Sequence, residues 1–546
     1  MVRLSLFWLL VSFVAIYTWR DWFKGLCGLI MLVALLEMPD VPRSMFGIEG
    51  LNFFNLLLLN VTVAWFVARY RENLKADLPA HLTTLLLIYL AIVVIGFYRL
   101  YENRVYMIQT YATTESAFNM ISDYLINTLK WTLPGVMLYD GCRTRERTII
   151  ALLSIIVIYL FLGAMVVKVM PMGAALLSGD ELQRLALRLL VSRTGYHRVN
   201  LSMMLAGASW AVLALRGLTS DRRLHLLAIL ASVSVLYAQS LTAGRAGYVA
   251  WAATGLLLCV YRWRAYLLVA PVIVLALVLF MPSVSDRILF GVTQDEFSSG
   301  VTVNDYDLTS GRIIIWPLVI DKIRQNPVFG FGRMAMWSTG IVIYTALILT
   351  EDFGHPHNAY LEWMLDNGLI GFIPVMAFFA VVLFHALRLF RDRRSGLFMA
   401  AGGMAAALIL GLLCASMGSQ TFYPVEGTVG MWCAIGVMLR LSVNRSQALA
   451  RMKQSSQVLA WARPATTGFR PAAAAAVSIE ELLWPASEDT EPDWRKRSTR
   501  APAPAAMPQR PAEPVVRARN PHTTVQAERP ASAPRFVFTN EPARRR

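Results

Sequence analysis

The chain has 546 residues, of which 56% are hydrophobic and 16% charged, and its formal net charge is +16. With a mean hydropathy of +0.50, the composition excludes an ordinary soluble protein and indicates a polytopic membrane protein. The basic residues form no face interleaved with aromatic side chains, so nucleic acid is not expected as a partner.

Apolar runs of about 17 to 25 residues, long enough to cross a bilayer as helices, recur along most of the chain. They predict an all-α polytopic membrane protein of about 12–13 transmembrane helices, with a large extracytoplasmic loop that contains surface helices. We expect the first run to be a membrane anchor, since no small-residue cleavage site precedes the next run. The runs fall near residues 4–19, 22–38, 50–68, 81–98, 117–139, 148–170, 199–216, 223–242, 246–261, 264–281, 368–388, 397–415 and 427–441.

Lysine and arginine in the short loops place those loops on the cytoplasmic side. The basic clusters are Arg69, Arg71 and Lys75; Arg143, Arg145 and Arg147; Arg216, Arg222 and Arg223; Arg262 and Arg264; and Arg388, Arg391, Arg393 and Arg394. Segments 99–116, 171–198, 243–246, 282–360 and 416–426 are then predicted on the opposite face. The N-terminus is outside if every run spans the membrane, but only Arg20 and Lys24 orient the first hairpin.

Arg245 lies in a turn between two closely spaced apolar runs, within Thr242-Ala243-Gly244-Arg245-Ala246-Gly247. Its small neighbours leave the guanidinium unobstructed, and a guanidinium presents a planar fork that fits phosphate oxygens. An arginine that only anchors a helix end at the membrane surface has the same appearance in a sequence. Both interpretations stay open at this point.

Arg312 opens a predicted amphipathic helix that runs through Ile313, Trp316, Ile320 and Ile323 and stops at Asn326-Pro327. We expect the helix to lie along the membrane surface, with Pro317 tolerated near its start and Arg312 at the level of lipid phosphates. The alternative is an interfacial arginine that pairs with ordinary phospholipid. Just upstream, Asp305-Tyr306-Asp307 has a spacing that can hold a metal, but no metal site is predicted there or elsewhere.

His357 follows a proline and precedes Asn358, which is predicted to cap a helix that starts near Ala359. An imidazole with an ordinary pKa near 6.5 can accept a proton at neutral pH, so His357 is a candidate general base. His355 lies two residues away, and the residues alone do not say which imidazole is functional.

Residues 445–546 change in composition to proline, alanine, arginine and serine, with 17 basic and 9 acidic residues. Such a segment cannot bury a core, and a disordered basic cytoplasmic tail is predicted after a membrane domain of residues 1–444. A basic tail is attracted to anionic lipid. Ser478-Ile479-Glu480-Glu481-Leu482-Leu483-Trp484 is the one stretch in it that could bind a partner.

The motifs of the large loop, taken in order, resemble the signature of the bacterial O-antigen ligase and O-antigen polymerase family. The turn at Arg245 resembles the family's preceding Ser-Arg-Gly motif, although Ala243-Gly244 replaces the usual serine. A further match is Arg193-Thr194-Gly195 followed by Asn200. The resemblance covers about residues 193–375, and the loop motifs are Gly311-Arg312 with Trp316, Asn326-Pro327-Val328-Phe329-Gly330-Phe331-Gly332, His357-Asn358-Ala359-Tyr360-Leu361 and Asp366-Asn367-Gly368-Leu369-Ile370-Gly371.

The resemblance implies a metal-independent membrane glycosyltransferase without a cofactor, located in the bacterial inner membrane with its site on the periplasmic side. The donor would be a glycan on undecaprenyl diphosphate, and the acceptor a glycan, lipid A core or a protein hydroxyl. Arg245 and Arg312 would bind the diphosphate and His357 would activate the acceptor, with Asn358 and Arg193 in support. Attack opposite the diphosphate would invert the anomeric centre.

Two other functions fit the same sequence. An O-antigen or exopolysaccharide polymerase would share the donor site and differ in its acceptor. A transporter or flippase for the lipid-linked glycan would carry ionisable residues near the membrane midplane and repeated halves; Lys130 is the clearest charge within a predicted span, and the sequence shows no convincing repeat.

Overall fold

Helices make up nearly all of the regular structure in the computed structural model, and the described residues form no β-strand, which confirms the all-α prediction. The structure describes residues 2–42, 44–45, 50–74, 77–111, 116–268, 271–272, 275, 311–349, 353–418, 421–461 and 479–484. Asp305-Tyr306-Asp307 and most of the predicted run 264–281 lie outside these ranges.

The first half of the described chain contains thirteen helices before the large loop. They are α1 (Val2–Thr18), α2 (Trp22–Leu32), α3 (Phe53–Arg71), α4 (Ala80–Glu102), α5 (Arg104–Tyr111), α6 (Ala117–Ile121), α7 (Asn127–Lys130), α8 (Leu133–Gly141), α9 (Arg145–Val169), α10 (Gly179–Thr194), α11 (Arg198–Ala214), α12 (Arg222–Ser240) and α13 (Arg245–Tyr261).

Seven further helices follow among the described residues. They are α14 (Arg312–Gln325), α15 (Ala335–Ser338), α16 (Ile341–Leu349), α17 (Ala359–Arg391), α18 (Gly396–Ala415), α19 (Val429–Trp461) and α20 (Ile479–Leu483).

Seven of the described helices are long and apolar enough to cross a membrane, and the helices Leu4–Thr18 and Trp22–Leu35 are shorter apolar ones. The polytopic prediction is therefore confirmed, while several predicted runs form shorter or interrupted helices. The seven are α3, α4, α9, α11 with its 3-10 extension to Leu218, α12, α17 and α18.

The predicted span 117–139 is not one continuous helix. The backbone is π-helical over Ser122–Ile126, and a new helix begins at Leu133 with Pro134 in its first turn. Because proline has no N–H to donate and its ring crowds the preceding turn, it favours a helix start over a helix interior. The run therefore becomes three short helices, α6, α7 and α8.

Helix α18 is the centre of the bundle, with 83% of its spanning window buried. Its alanine- and glycine-rich sequence lets neighbouring backbones come close, as small residues do between membrane helices. A Cβ on Gly207 of α11 would lie 2.6 Å from the carbonyl oxygen of Ala407 of α18. This packing fixes the C-terminal end of α18, from which the turn at residues 416–418 leaves.

Helix α17 has a kink at Gly368, whose φ of 59° and ψ of −166° are not helical. The predicted membrane run 368–388 begins at this kink, and residues 359–367 form a separate helical segment before it. Asn358 caps this segment by accepting hydrogen bonds from the backbone N–H groups of Tyr360 and Leu361, at 3.0 and 3.3 Å. The predicted cap and helix start are confirmed.

The last described helices of the chain lie beyond residue 444. Helix α19 continues to Trp461, and contacts divide the chain into residues 1–486 and residues 487–546. Ile479 and Leu483 of α20 are 7% and 3% exposed and belong to the main core. These two residues of the stretch considered for partner binding are therefore packed within the first unit, while residues 487–546 lie outside the described ranges.

Candidate active site

A short turn after α18, residues 416–418, meets three motifs that are far apart in the sequence. The carbonyl of Gly418 accepts a hydrogen bond from Arg312 Nη2 at 3.2 Å. The carbonyl of Ser416 accepts one from the backbone N–H of Ala359 at 2.8 Å. A Cβ on Gly418 would lie 2.8 Å from the Cβ of Ala246. This turn, hereafter the 416–418 turn, therefore brings the surroundings of Arg245, Arg312 and His357 together.

Arg245 is the first residue of α13, directly after a tight turn. Ala243 adopts a left-handed conformation with φ of 54°, which is uncommon for a residue with a Cβ. Its carbonyl accepts a hydrogen bond from Arg198 Nη1 at 3.0 Å, and Tyr248 Oη donates to the carbonyl of Ser240 at 2.7 Å. The bond from Arg198 holds the turn against α11, and the two bonds together fix the backbone on both sides of Arg245.

Ser202 of α11 supplies a hydroxyl to this turn, where the chain itself has Ala243-Gly244. Its Oγ donates to the carbonyl of Gly244 at 3.1 Å. A Cβ on Gly247 would lie 2.0 Å from the same Oγ, so the contact requires a residue without a side chain there. The hydroxyl missing from the motif is thus present at the turn, contributed by a different helix.

Arg312 opens α14 as predicted, after Gly311 with a left-handed φ of 73°, and the helix ends at Asn326. The apolar residues of α14 lie on two faces, and its place along the membrane surface stays a prediction. Ile315 and Val319 are fully buried against a small apolar cluster, whereas Ile313 and Ile320 are 49% and 36% exposed.

Pro317 also differs from its prediction, because it lies inside α14 and not in the first turn. A proline at that position leaves the carbonyl one turn earlier without its helical N–H partner. Trp316 Nε1, from the same part of the helix, donates to the carbonyl of Pro356 at 3.0 Å. This bond joins α14 directly to the loop that carries the two histidines.

His355 and His357 form a close pair in the loop before α17. Their ring centroids are 4.3 Å apart at 68°, and the backbone N–H of His357 donates to His355 Nδ1 at 3.3 Å. His357 has a left-handed φ of 51°, a strained conformation for a residue with a Cβ. The strain is held by the proline before it and by the Asn358 cap after it.

The charge of Arg312 acts on both imidazoles. Burial, with smaller contributions from the neighbouring His355 and Arg312, lowers the pKa of His357 to about 4. Desolvation, followed by the charge of Arg312, also lowers the pKa of His355. Burial lowers the pKa of the Arg312 guanidinium as well, which nevertheless stays charged at neutral pH. Both imidazoles are therefore neutral near pH 7 and able to accept a proton.

The strip from Asn326 to Arg333 pairs with the kink of α17. Phe331 N donates to the carbonyl of Leu365 at 2.8 Å, and Leu369 N donates to that of Pro327 at 2.8 Å. Gly330 has a φ of 62°, and a Cβ there would lie 2.6 Å from the backbone of Asp366. The predicted tight turn at Gly330-Phe331-Gly332 is confirmed, and it braces the helix that carries Asn358.

Asp366 is the polar centre of this brace and is 2% exposed. Its carboxylate accepts hydrogen bonds from the backbone N–H of Ala335 at 3.0 Å and from Tyr423 Oη at 2.9 Å. Asn367 Nδ2 donates to the same Tyr423 oxygen at 3.0 Å. The motif Asp366-Asn367-Gly368 is thus explained by backbone architecture below the histidine loop.

Arg193 lies exposed in the last turn of α10, just before Gly195 in a left-handed conformation. The hydrogen bond from this region to the Arg245 turn comes from Arg198, which the sequence analysis did not name. Ser202 and the 416–418 turn were also missed. The 416–418 turn could have been predicted, since small residues follow an apolar run there. They lie on the side of the membrane that was predicted for the site.

The 416–418 turn contacts Arg312 and the residues that follow Arg245 and Asn358, at the end of the bundle where α11, α13 and α17 begin and α18 ends. We call this end the site end. Guanidinium groups suit an anionic, phosphate-bearing ligand, and a neutral imidazole suits removal of a proton from a hydroxyl. Among the described residues, no group of three or more histidine, cysteine or acidic side chains could hold a metal ion.

A protein-family model described as Wzy_C, O-antigen ligase, matches residues 226–376. The match includes Arg245, Arg312, His357 and Asn358, and it leaves out Arg193 and the 416–418 turn. No curated protein matches the sequence.

Proposed function

Since residues 226–376 match the O-antigen ligase family model, we propose that the protein transfers a glycan from undecaprenyl diphosphate to a hydroxyl acceptor on the periplasmic side of the inner membrane. The observation that carries the proposal is the 416–418 turn, which joins the surroundings of both arginines and of the histidine pair. A site for lipid-linked donors needs such groups to converge beside the membrane.

In the proposed reaction, the acceptor hydroxyl oxygen attacks the anomeric carbon of the donor glycan. The bond between that carbon and the diphosphate oxygen breaks, and undecaprenyl diphosphate leaves. His357 takes the proton of the acceptor hydroxyl. Attack from the side opposite the diphosphate inverts the anomeric configuration, and NMR of the product linkage tests this outcome.

Arg245 and Arg312 bind the diphosphate in this proposal. Negative charge grows on the leaving oxygen as the glycosidic bond breaks, so guanidinium groups placed beforehand stabilise the transition state more than the ground state. Partial burial of Arg312 supports this role, because a charge interaction is stronger where water is excluded. Arg198 and Ser202 position the Arg245 turn, and Trp316 positions the histidine loop.

His357 is favoured over His355 as the base because of its place in the loop. Its strained φ is maintained between Pro356 and the Asn358 cap, which is the kind of strain that persists where the surrounding structure fixes it for function. His355 accepts the backbone N–H of His357 through Nδ1, so it orients the loop. Arg193 has a supporting role near the carbohydrate in this proposal.

The second candidate, a polymerase that extends an O-antigen or exopolysaccharide, uses the same donor site. Lipid analysis of a deletion strain separates the two functions. Uncapped core with intact lipid-linked chains indicates a ligase that acts on lipid A core, whereas accumulated single repeats indicate a polymerase.

Turnover in detergent tests the proposal against a transporter. Purified protein is mixed with undecaprenyl-diphosphate-linked glycan and an acceptor, without a membrane gradient. Formation of a new glycosidic product, with release of undecaprenyl diphosphate, is expected. Lipid-linked glycan that moves across proteoliposomes without any product in either preparation would contradict the proposal and favour a flippase.

A further inference from the structure

A large polar cavity lies at the site end, apart from the arginine and histidine groups already described. Its volume is about 740 Å³, which is the size of a ligand pocket. Four asparagine side chains line it among the described residues: Asn52, Asn55, Asn119 and Asn127. The proposed function assigns no role to any of them.

The cavity and the 416–418 turn lie at the same end of the bundle. Asn52 caps the start of α3, while Arg69 near the end of α3 bonds to Asp140 at 2.9 Å. These positions are about 25 Å apart along the helix. Glu426, on the cavity wall, lies just before α19 in the same connection that begins at the turn.

The connection between them is short. Gly418 contacts Arg312, and Pro424 already lines the cavity. Six residues of fully extended chain reach at most about 20 Å. Gly418 and the cavity wall at Pro424 therefore lie within about 20 Å of each other, a distance that a short glycan can span.

The amide groups on the wall are held in fixed directions. Lys130 Nζ donates to Asn55 Oδ1 at 2.8 Å and to Asn127 Oδ1 at 2.6 Å. Asn127 Nδ2 donates to Asp123 Oδ1 at 3.0 Å, and Asn55 Nδ2 donates to the carbonyl of Gly50 at 2.6 Å. These hydrogen bonds fix two of the carboxamides and one ammonium relative to one another.

The chemistry of the wall favours an uncharged, hydroxyl-rich ligand over a second phosphate. The cavity is lined by three carboxylates, those of Glu37, Asp123 and Glu426, and by two cations, Lys130 and Arg333. This balance repels added negative charge. A carboxamide can donate and accept, and neighbouring sugar hydroxyls do the same, so each fits the other.

We propose that this cavity is a saccharide subsite that binds sugar rings of the glycan during transfer, an inference that rests on the proposed function. The glycan has two sources, the chain carried by the donor or the saccharide part of the acceptor. The chemistry they share is a run of hydroxylated rings, and the experiment separates them.

The test uses purified full-length protein and three variants, Asn55→Ala, Asn127→Ala and the double variant. Asn444→Ala, on α19 far from the cavity, is the matched control. The ligands are two carrier-free oligosaccharides from the host, the repeat unit released from the lipid-linked donor and the core released from its lipopolysaccharide. Binding is followed by saturation-transfer NMR, and KM and kcat are measured for transfer.

Each single variant is expected to weaken binding of one oligosaccharide by about 3- to 10-fold, since one lost hydrogen-bonding group has an effect of that size. KM for the substrate that carries the same saccharide should rise by a similar factor, while affinity for undecaprenyl diphosphate stays unchanged. Loss confined to the repeat unit assigns the cavity to the donor, and loss confined to the core assigns it to the acceptor. Either result supports the subsite.

Unchanged binding of both oligosaccharides in the double variant, with normal transfer, overturns the subsite and leaves the proposed function standing. Asn55→Asp and Asn127→Asp keep the side-chain volume. If binding is lost only in the alanine variants, and those variants also have lower thermal stability, the loss is structural and the subsite is overturned. Saccharide binding that the variants weaken, in a protein that forms no product, supports the subsite and rejects the proposed function.

Discussion

Two groups of arginines in the bundle are held in different ways. Away from the site end, Asp140 accepts hydrogen bonds from Arg69 and Arg143, both at 2.9 Å, and Arg440 forms an ion pair with Asp77. At the site end, Arg99 donates to the carbonyls of Phe329 and Gly330, both at 2.6 Å. The first group is balanced by carboxylates, whereas these bonds at the site end go to neutral oxygen atoms.

The difference indicates two roles for arginine in this bundle. A carboxylate neutralises a guanidinium and makes the pair a structural joint, whose removal costs stability. A carbonyl orients a guanidinium and leaves its charge in place. Arg312 Nη2 donates to the carbonyl of Gly418 at 3.2 Å, and in the proposed function its guanidinium binds the diphosphate.

The largest expected effect comes from the histidine pair at the site end. His357→Ala should lower kcat by about 10²- to 10⁴-fold, because transfer loses its general base. His355→Ala should lower it by a smaller factor, through loss of loop order. Rates are measured with purified protein and lipid-linked donor. Full activity in His357→Ala together with loss in His355→Ala would reverse the assignment of the base.

The next largest effect concerns Arg245 and Arg312, the two arginines that bind the diphosphate in the proposed function. Arg245→Lys and Arg312→Lys should each reduce transfer by about 10²- to 10³-fold, because an ammonium keeps the charge and loses the planar fork. Arg324→Lys is the matched control on the same helix, where Arg324 is exposed and pairs with Asp321 at 3.0 Å. If both lysine variants transfer at the normal rate, a positive charge is sufficient and the planar guanidinium is not required.

A smaller effect is expected when the Arg245 turn is displaced without changing the arginine. Gly247→Ala would place a Cβ 2.0 Å from Ser202 Oγ, so the turn must shift, and transfer should fall by about 10- to 100-fold. Adding Ser202→Gly should restore part of the rate. Gly173→Ala is the control, since a Cβ there meets nothing within 4 Å. Equal rates in all three variants would show that the position of the turn is unimportant.

The opposite end should respond in stability and not in catalysis. Asp140→Asn leaves Arg69 and Arg143 without their shared carboxylate, and the free energy of unfolding should fall by about 3–5 kcal/mol. Thermal unfolding in detergent measures this, with the exposed pair at Asp321→Asn as a control that changes by less than about 1 kcal/mol. The kcat of folded Asp140→Asn should match wild type, and a large loss of kcat would mean that the two ends are not separate.

The most modest effect is a shift in pH dependence. The pKa of His357 is about 4 in the free protein, so the base is lost only as the pH falls through that value. The acid limb of kcat/KM, which reports the free enzyme, should lie near pH 4. Bound diphosphate favours the imidazolium, so the limb of kcat should lie at higher pH. If the acid limbs of kcat/KM and kcat lie at the same pH, His357 is not close to the bound diphosphate.

The sequence predicted those parts of the fold that depend on local pattern. The cap at Asn358, the start of α14 at Arg312 and the tight turn at Gly330 all follow from residues close in the chain, and the structure confirms them. The buried face of α14, with Ile315 and Val319, was not predicted, because its partners such as Phe353 and Leu365 come from distant segments. The periodicity predicted one apolar face, and the structure shows a second one.

The convergence of the site could be predicted only in part. Loop charges placed the Arg245 turn, the histidine loop and residues 416–426 on one face, which allows them to meet. The 416–418 turn joins them because α18 packs closely against α11. The residues near the turn do not predict that distance. Ser202 was missed for the same reason, because its hydroxyl reaches Gly244 from a helix position 42 residues earlier in the chain.

Affinity for undecaprenyl diphosphate, measured by native mass spectrometry on purified protein, tests the central claim most directly. The account predicts that Arg245→Lys and Arg312→Lys each weaken binding by about 10-fold or more, and that Arg324→Lys and Asp140→Asn bind like wild type. Equal affinity in all of these proteins would contradict a diphosphate site formed by the two arginines at the 416–418 turn.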